Sequence, residues 1–517
     1  CQRFWITMRM FKDKIKTLDE LVQMIGTRPR AKTVILCHGV FDIVHPGHLR
    51  HLAYAKQKAG ILVASVTADA YVFKPGHHPY VPEVLRAQNL AALEMVDYVL
   101  VDRHSTPVQT IQVLQPDYFA KGYEYFVDGP SPETRVEEAA LAVYGGEMVF
   151  TPGDIVYSSS ALLEAQAPKL ALEKLLSLME TEGIGFADIR KALHSLSGLT
   201  AHVVGDTIVD GYSECSLLGA AGKSPTFSVR LERTDRFTGG AGIVARHLKS
   251  AGATVFLSTV LGADDRGTFA LRELDEAGVK CHLTIDRTRP TPYKERFIAA
   301  GQKMLQVDQV DNRPIPEPAV RALCDQLRAS TADVVIMSDF RHGIFTRDSI
   351  GRLVVAIPIG RMKVADSQVS SRWGNILDFK NFDLITPNER EARFALGDQD
   401  TIVRPLGLHL FREAHCRNLI LKVAERGLIA YRRGSDEPRD FFALDSFADQ
   451  VVDPIGAGDA LLAYASLVLA STQNLLMASI LGAIGAAVAC ERQGNVPVSP
   501  VEVEEKISAL ERLARYG

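Results

Sequence analysis

The sequence predicts an α/β protein of two successive α/β units. Three observations carry this: short apolar runs alternate with amphipathic stretches through most of the chain, a strand-free stretch interrupts that alternation once, and the length of 517 residues exceeds one domain. Hydrophobic residues make up 47% and charged residues 23% of the chain, the composition of a globular protein with ample core. The net charge of -4 and the lack of a dense basic stripe argue against a nucleic-acid partner. Seven scattered cysteines without a Cys-x-x-Cys pair fit neither a disulfide scaffold nor a zinc site, and point to a reducing cytoplasm. The apolar stretch 461–490 is broken at Ser471-Thr472-Gln473-Asn474 into halves too short to span a bilayer, so two buried helices and no membrane partner are expected. Residues 1–10 show no signal-peptide pattern.

In the first unit, residues 33–37 read as a strand and a helix opens near Pro46. Strands at 61–66, 97–101, 118–121 and 147–150 alternate with helices at 86–96, 107–114 and 135–144. Such repetition builds a parallel sheet, whose ligands bind at the carboxyl ends of the strands. The unit closes near residue 165, giving a domain at 30–165. Residues 166–197 form a helical connector with a turn near Gly183–Gly185. A second α/β domain occupies 198–517, opening with a strand at 201–205.

After the first strand come His38-Gly39-Val40-Phe41-Asp42-Ile43-Val44-His45-Pro46-Gly47-His48. Two histidines three residues apart stand where a strand hands over to a helix. Backbone N–H groups and the positive end of the dipole favour phosphate there, and imidazoles can donate to charge developing on it. Near the end, Val452-Asp453-Pro454-Ile455-Gly456-Ala457-Gly458-Asp459 leads into an apolar helix. Its glycines let the backbone approach a ligand, its N–H groups can form an anion hole, and Asp459 beside that hole can take a proton from a hydroxyl. No Gly-x-x-x-x-Gly-Lys-Ser/Thr run is present, so a P-loop kinase is not supported.

The first segment resembles the HxGH nucleotidyltransferase superfamily in its cytidylyltransferase-like branch, and implies a Rossmann-like fold. Gly39, Phe41, Asp42, His45, Gly47 and His48 match its signature. The likeness continues through Asp69, Lys74, Arg86, Pro116–Gly122 with Lys121, and Ser158, Ser159 and Ser160. It implies that His45, His48 and Lys121 stabilise the α-phosphate of an ATP or CTP donor. Gly39, Phe41, Asp42, Arg86 and Ser158–Ser160 would bind the nucleotide. The detailed likeness is to heptose-activating transferases, except that Tyr123 stands where they have a second glycine.

The second unit resembles the ribokinase-like (PfkB-type) carbohydrate kinases, which implies a small β-lid, placed at 211–237, that serves as a homodimer clasp. Asp453, Gly456, Ala457, Gly458 and Asp459 match the late signature, and Gly239-Gly240 the early one. The resemblance implies that Asp459 is the base and that Gly456, Ala457 and Gly458 bind phosphate. Asn388 and Glu391 would organise Mg²⁺ largely through water, with ATP as donor. Asp206, Asp210, Gly239, Gly240, Lys294 and Arg296 would bind the sugar; Gln302, Asp308, 338–343 and Asp366 extend the likeness. Lys294 and Arg296 alternate on an expected strand, so both can face one phosphate. Departures are Ile243 for an asparagine, Pro454 for a threonine, and Lys422-Val423-Ala424 for Thr-x-Gly.

Together the two resemblances imply bifunctional sugar activation, as in bifunctional heptose enzymes but with the domains in reversed order. A kinase would phosphorylate a sugar phosphate, heptose 7-phosphate at C1, and a transferase would form NDP-sugar and pyrophosphate. Two alternatives stay open: a polyol- or glycerol-phosphate cytidylyltransferase fused to an unrelated sugar kinase, and a nucleotide-binding regulatory protein with one inactive head.

Overall fold

The computed structural model describes residues 11–26, 28–72, 79, 81–122, 132–151, 171–220, 227–368, 375–433 and 441–516. Lys74, Tyr123 and Ser158–Ser160 lie outside them. The chain separates into two compact units, Cys1–Leu178 and Met179–Gly517.

The first unit is built on five parallel strands: β1 (Val34–Gly39), β2 (Ile61–Thr67), β3 (Tyr98–Asp102), β4 (Tyr118–Gly122) and β5 (Glu147–Thr151). Their spatial order is β3-β2-β1-β4-β5. All pairings are parallel, and Cys37 lies opposite both Ala64 and Ala120. The chain thus turns one way from β1 into β2 and the other way into β4. That reversal makes the carboxyl ends of β1 and β4 the switch point where such sheets bind ligands. One sheet face packs Ile35, Leu62, Ala64 and Leu90, and the other Leu36, Val63, Ile111 and Phe119.

The helix expected at 86–96 instead runs Glu83–Ala91. The residues after it turn away, and the Lys14 ammonium donates to the carbonyls of Leu93 and Val96 at 3.0 and 2.8 Å. Those acceptors therefore need no further helical turn.

The helix Ala171–Thr181 spans the division between the units, and the second unit continues through the expected turn into the helix Phe186–His194. Arg190 ties the latter helix to Glu504 and Glu511 of the terminal helix, so this part of the connector packs with the second unit. Its main sheet has nine strands: β10 (Lys280–Ile285), β9 (Thr254–Leu261), β6, β13, β14, β15 (Leu384–Ile385), β16, β17 and β18, in that spatial order. Among them β6 (Thr200–Gly205), β13 (Val334–Asp339), β14 (Met362–Ser367) and β16 (Asn418–Lys422) carry site residues at or near their carboxyl ends. The pairings are parallel up to β16, and β17 (Leu428–Arg432) and β18 (Phe441–Leu444) add an antiparallel edge.

A small mixed sheet, β12-β11-β7-β8, forms the lid. It is larger than the 211–237 hairpin expected: β7 (Thr207–Ala220) and β8 (Phe227–Gly240) are joined by β11 (Tyr293–Ala299) and β12 (Gln302–Gln309). The stretch 461–490 does form two buried helices, Ala457–Thr472 and Leu475–Cys490. No helix among the described residues is long and apolar enough to cross a membrane.

Candidate active sites

In the first unit the site starts where β1 ends. Phe41 adopts a left-handed backbone, φ 50°, rare for an aromatic residue. Its ring lies 3.3 Å from where a β-carbon on Gly39 would stand, which makes glycine the close-fitting residue at 39. Asp42 Oδ1 accepts the Val81 N–H at 2.7 Å and anchors the loop before the next helix.

His45 is the N-cap of Pro46–Lys58, and its Nδ1 accepts the Gly47 N–H at 3.2 Å. An accepting Nδ1 puts the neutral imidazole's proton on Nε2. His48 does the opposite: its Nδ1 meets the Ile43 carbonyl at 3.1 Å, and a carbonyl only accepts, so Nδ1 carries a proton. The two rings stack with centroids 3.9 Å apart. Nδ1 of His45 thus accepts where Nδ1 of His48 donates, side by side at the start of one helix.

Lys121 stands at the end of β4, next to β1, and pairs with Glu137 of the helix Pro132–Ala142. Burial raises the Glu137 carboxyl, and Lys121 counters it. Sequence reading missed Glu137, which no motif marks. Arg86 is fully buried; its Nε donates to the Val81 carbonyl, one terminal nitrogen to Val40, and the other to Thr67 and Asp69. It braces the loops that follow β1 and β2.

In the second unit, Gly456 opens the helix Ala457–Thr472 at φ 82°, and a β-carbon there would meet Asn495 Oδ1 at 2.6 Å. Asp459, in the first turn, is buried, and its carboxyl is pushed up to about 8 by burial first and then by Asp366, with Lys422 opposing. Asp210 and Lys294 also act on it. One carboxylate thus stands between the expected sugar residues and a second charged group around Asp366.

On the sugar side, Asp210 Oδ1 accepts from Arg296 at 2.7 Å and Oδ2 from Asn495 at 2.7 Å. A β-carbon on Gly239 would lie 2.0 Å from that Oδ2, and one on Gly240 2.3 Å from the Asp206 carbonyl. The glycine pair lets backbone press against both aspartates. Asp206 itself accepts the N–H groups of Phe340 and His342 at 3.2 and 3.1 Å and so holds the 339–343 loop. Lys294 and Arg296 alternate on β11, and both are buried. Among the described residues the Lys294 ammonium has no hydrogen-bond or ion-pair partner; it faces the Phe340 ring at 5.8 Å. Burial lowers its pKa, and Asp210 and Asp308 partly offset that. Ile243 is a core residue.

On the other side, Asn388 and Glu391 form a reciprocal cap: Asn388 Oδ1 accepts the Glu391 N–H at 2.9 Å, and Glu391 Oε2 the Asn388 N–H at 2.7 Å. Burial pushes the Glu391 carboxyl to about 7, against the pull of Lys422. Lys422 donates to Asp366 Oδ1 at 2.9 Å, and Thr386 donates to the same oxygen. Asn495 was not anticipated; it lies after the signature helix, and only the fold returns it to Asp210.

The profile of the pfkB family carbohydrate kinases matches residues 201–501, and a cytidylyltransferase-like profile matches 36–165. Among curated proteins, the chain is 28% identical over 308 residues to "Bifunctional protein HldE" of Pelobacter propionicus, covering 58% of this chain and 62% of the relative. It is 29% identical over 330 residues to the protein of that name from Syntrophotalea carbinolica, covering 62% and 65%. The chain therefore spans less than two thirds of these relatives' length. Among solved structures, phosphofructokinase-2 from Escherichia coli in complex with substrates and products superposes with a TM-score of 0.51 at 17% identity, over 61% of this chain and 100% of that one. At that identity the likeness concerns the fold. The kinase profile takes in more than half of the sequence and the sheet-and-lid architecture agrees, so the chain is a transferase of the pfkB carbohydrate kinase family carrying an additional cytidylyltransferase-like domain ahead of its kinase domain.

Proposed function

We propose that the two heads activate one sugar in sequence: the kinase phosphorylates a sugar that already bears a phosphate, heptose 7-phosphate at C1, and, once a separate phosphatase has hydrolysed the 7-phosphate, the first head transfers a nucleotidyl group to the sugar 1-phosphate. The observation that carries the anionic substrate is Lys294, a largely buried lysine whose ammonium has no hydrogen-bonding or ion-pairing partner among the described residues, beside the Asp210–Arg296 pair. A buried cation is costly unless an anion joins it. A substrate phosphate on Lys294 would place a remote hydroxyl toward Asp459.

In the kinase step Asp459 takes the proton of the sugar hydroxyl, whose oxygen bonds to the γ-phosphorus of ATP. The bond from that phosphorus to the β,γ-bridging oxygen breaks and ADP leaves. The amides around Gly456–Gly458 receive the charge of the moving phosphoryl group. Glu391, Asp366 and Asn388 supply hard oxygen donors on one side of the site, which suits Mg²⁺ held through water and brought in with the ATP phosphates. In the first head a phosphate oxygen of the sugar 1-phosphate attacks the α-phosphorus of ATP or CTP and pyrophosphate leaves. His45, His48 and Lys121 hold the α-phosphate, with Gly39, Phe41 and Asp42 shaping the loop beneath it.

The lid presents Leu217, Leu231, Leu305 and Val307 to solvent, and we assign it as the contact between two copies in a homodimer. The proposal has a direct test: sugar phosphates offered with ATP, CTP, GTP and UTP, with ADP and pyrophosphate followed separately. His48→Ala should abolish pyrophosphate release and spare ADP formation; Asp459→Ala should do the reverse. One substitution stopping both products would refute two independent sites.

A further inference from the structure

Lys422 stands out because it takes the first position of the expected Thr-x-Gly and lies close to Asp366, Glu391 and Asp459. Its backbone N–H donates to the Pro387 carbonyl at 2.9 Å and its residue bridges Asn388, so the end of β16 is fastened to the Asn388–Glu391 cap. Its side chain then reaches across to the anion loop. A β-carbon placed on Gly458 would lie 3.4 Å from Nζ, nearer than any other atom outside the loop's own neighbourhood. Asp366 Oδ1 accepts from the same nitrogen at 2.9 Å. Glu391 and Asp459 both lie within its electrostatic reach.

The charges make this arrangement meaningful. Asp366, Glu391 and Asp459 are three carboxyls gathered around Lys422, where the proposed kinase step brings a triphosphate. Each of them that ionises, as Asp459 must to act as base, repels phosphate oxygens, and in a site partly closed to water that repulsion is weakly screened. An ammonium has three N–H groups, and among the described residues Asp366 is the acceptor of one. An ammonium placed at the mouth of an anion hole strengthens as charge spreads over the equatorial oxygens of the transferred phosphoryl group.

We infer that Lys422 is a phosphate-gripping catalytic residue: its ammonium binds the terminal phosphate of ATP at the Gly456–Gly458 loop and stays on that phosphoryl group through transfer. The inference rests on the kinase reading above and adds a residue to it. It requires no proton to leave Lys422, which remains charged before and after the step.

The test compares ADP with the non-hydrolysable ATP analogue AMP-PNP by calorimetry on the full chain, wild type against Lys422→Met. The first head contributes equally to both proteins, so differences report on the kinase. Lys422→Met should lose about tenfold or more in affinity for AMP-PNP while keeping its affinity for ADP, and kcat for ADP formation should fall by about 10²–10³-fold, the loss typical of one preorganised donor. Lys422→Arg, which keeps the charge, should retain the preference for AMP-PNP. Equal binding of AMP-PNP by wild type and Lys422→Met, with kcat unchanged, would overturn the inference and leave the kinase reading intact. A wild type that binds neither nucleotide would overturn both. Should Lys422→Met fail to fold, amine labelling of the wild type decides: AMP-PNP must slow modification of Lys422 more than ADP does, and equal protection overturns the inference.

Discussion

Asp459→Asn should make the kinase unit more stable at neutral pH while abolishing phosphoryl transfer. The Asp459 carboxyl is buried at 8% exposure beside Asp366, and its pKa rises from 3.8 to about 8. Native Asp459 therefore keeps its proton up to about pH 8, whereas the unfolded chain releases it above about pH 4. Between those limits the native state binds more protons than the unfolded one, so stability falls as pH rises. One group contributes about 1.4 kcal/mol per pH unit, or about 3 kcal/mol between pH 5 and 7. Asparagine imitates the protonated carboxyl and has nothing to ionise. The stability advantage of Asp459→Asn over wild type should accordingly grow by about 3 kcal/mol from pH 5 to 7. Glu391 and Asp339, both raised by burial to about 7, also erode stability across this range, but in both proteins alike. Urea unfolding of the two proteins at pH 5, 6, 7 and 8, followed by far-ultraviolet circular dichroism, supplies the difference. A constant offset across that range would refute the claim that the resting enzyme holds Asp459 protonated.

The same carboxyl sets the pH dependence of catalysis: a base must be ionised, so kcat/KM for ADP formation should climb with pH toward a plateau above about 8, measured with saturating ATP. A profile flat from pH 6 to 9 would contradict it. Arg86→Met would leave the carbonyls of Val40, Thr67 and Val81 and the Asp69 carboxylate without their donor, and should destabilise the first unit by about 3–5 kcal/mol in urea unfolding. Gly239→Ala places a β-carbon 2.0 Å from Asp210 Oδ2 and must push that carboxylate away from Asn495 and shift it against Arg296. The kinase should lose about 10²-fold in kcat/KM for its sugar phosphate, since ångström-scale misplacement is costly to catalysis.

Much of both sites was legible because their chemistry is local in sequence. A strand-to-helix turn supplies its own N–H groups, so 38–48 and 453–459 each announce an anion site without help from the rest of the chain. The alternation of Lys294 and Arg296 announced a shared face, and both side chains are indeed buried on β11. What escaped were partners brought from a distance. Glu137 lies 16 residues from Lys121, and Asn495 lies 285 from Asp210. The lid was underread for the same reason, since β11 joins β7 by parallel pairing across some 80 residues. Lys422 looked like a departure from a pattern; its reach to Gly458 depends on how β16 sits beside β15 (Leu384–Ile385) and the Asn388 cap.

By itself, then, the sequence determined the α/β class, the two signature turns and the residue types able to hold phosphate, because hydrophobic period and turn chemistry act over a few residues. Tertiary structure alone decided which strand ends are neighbours. The order β3-β2-β1-β4-β5 sets Lys121 at the strand end next to β1, within electrostatic reach of His38, and the second sheet gathers Asp366, Lys422 and Glu391 near Asp459. The physical reason is that charges interact through space: their separation along the chain says nothing of it, whereas their pKa values and partners depend on it entirely.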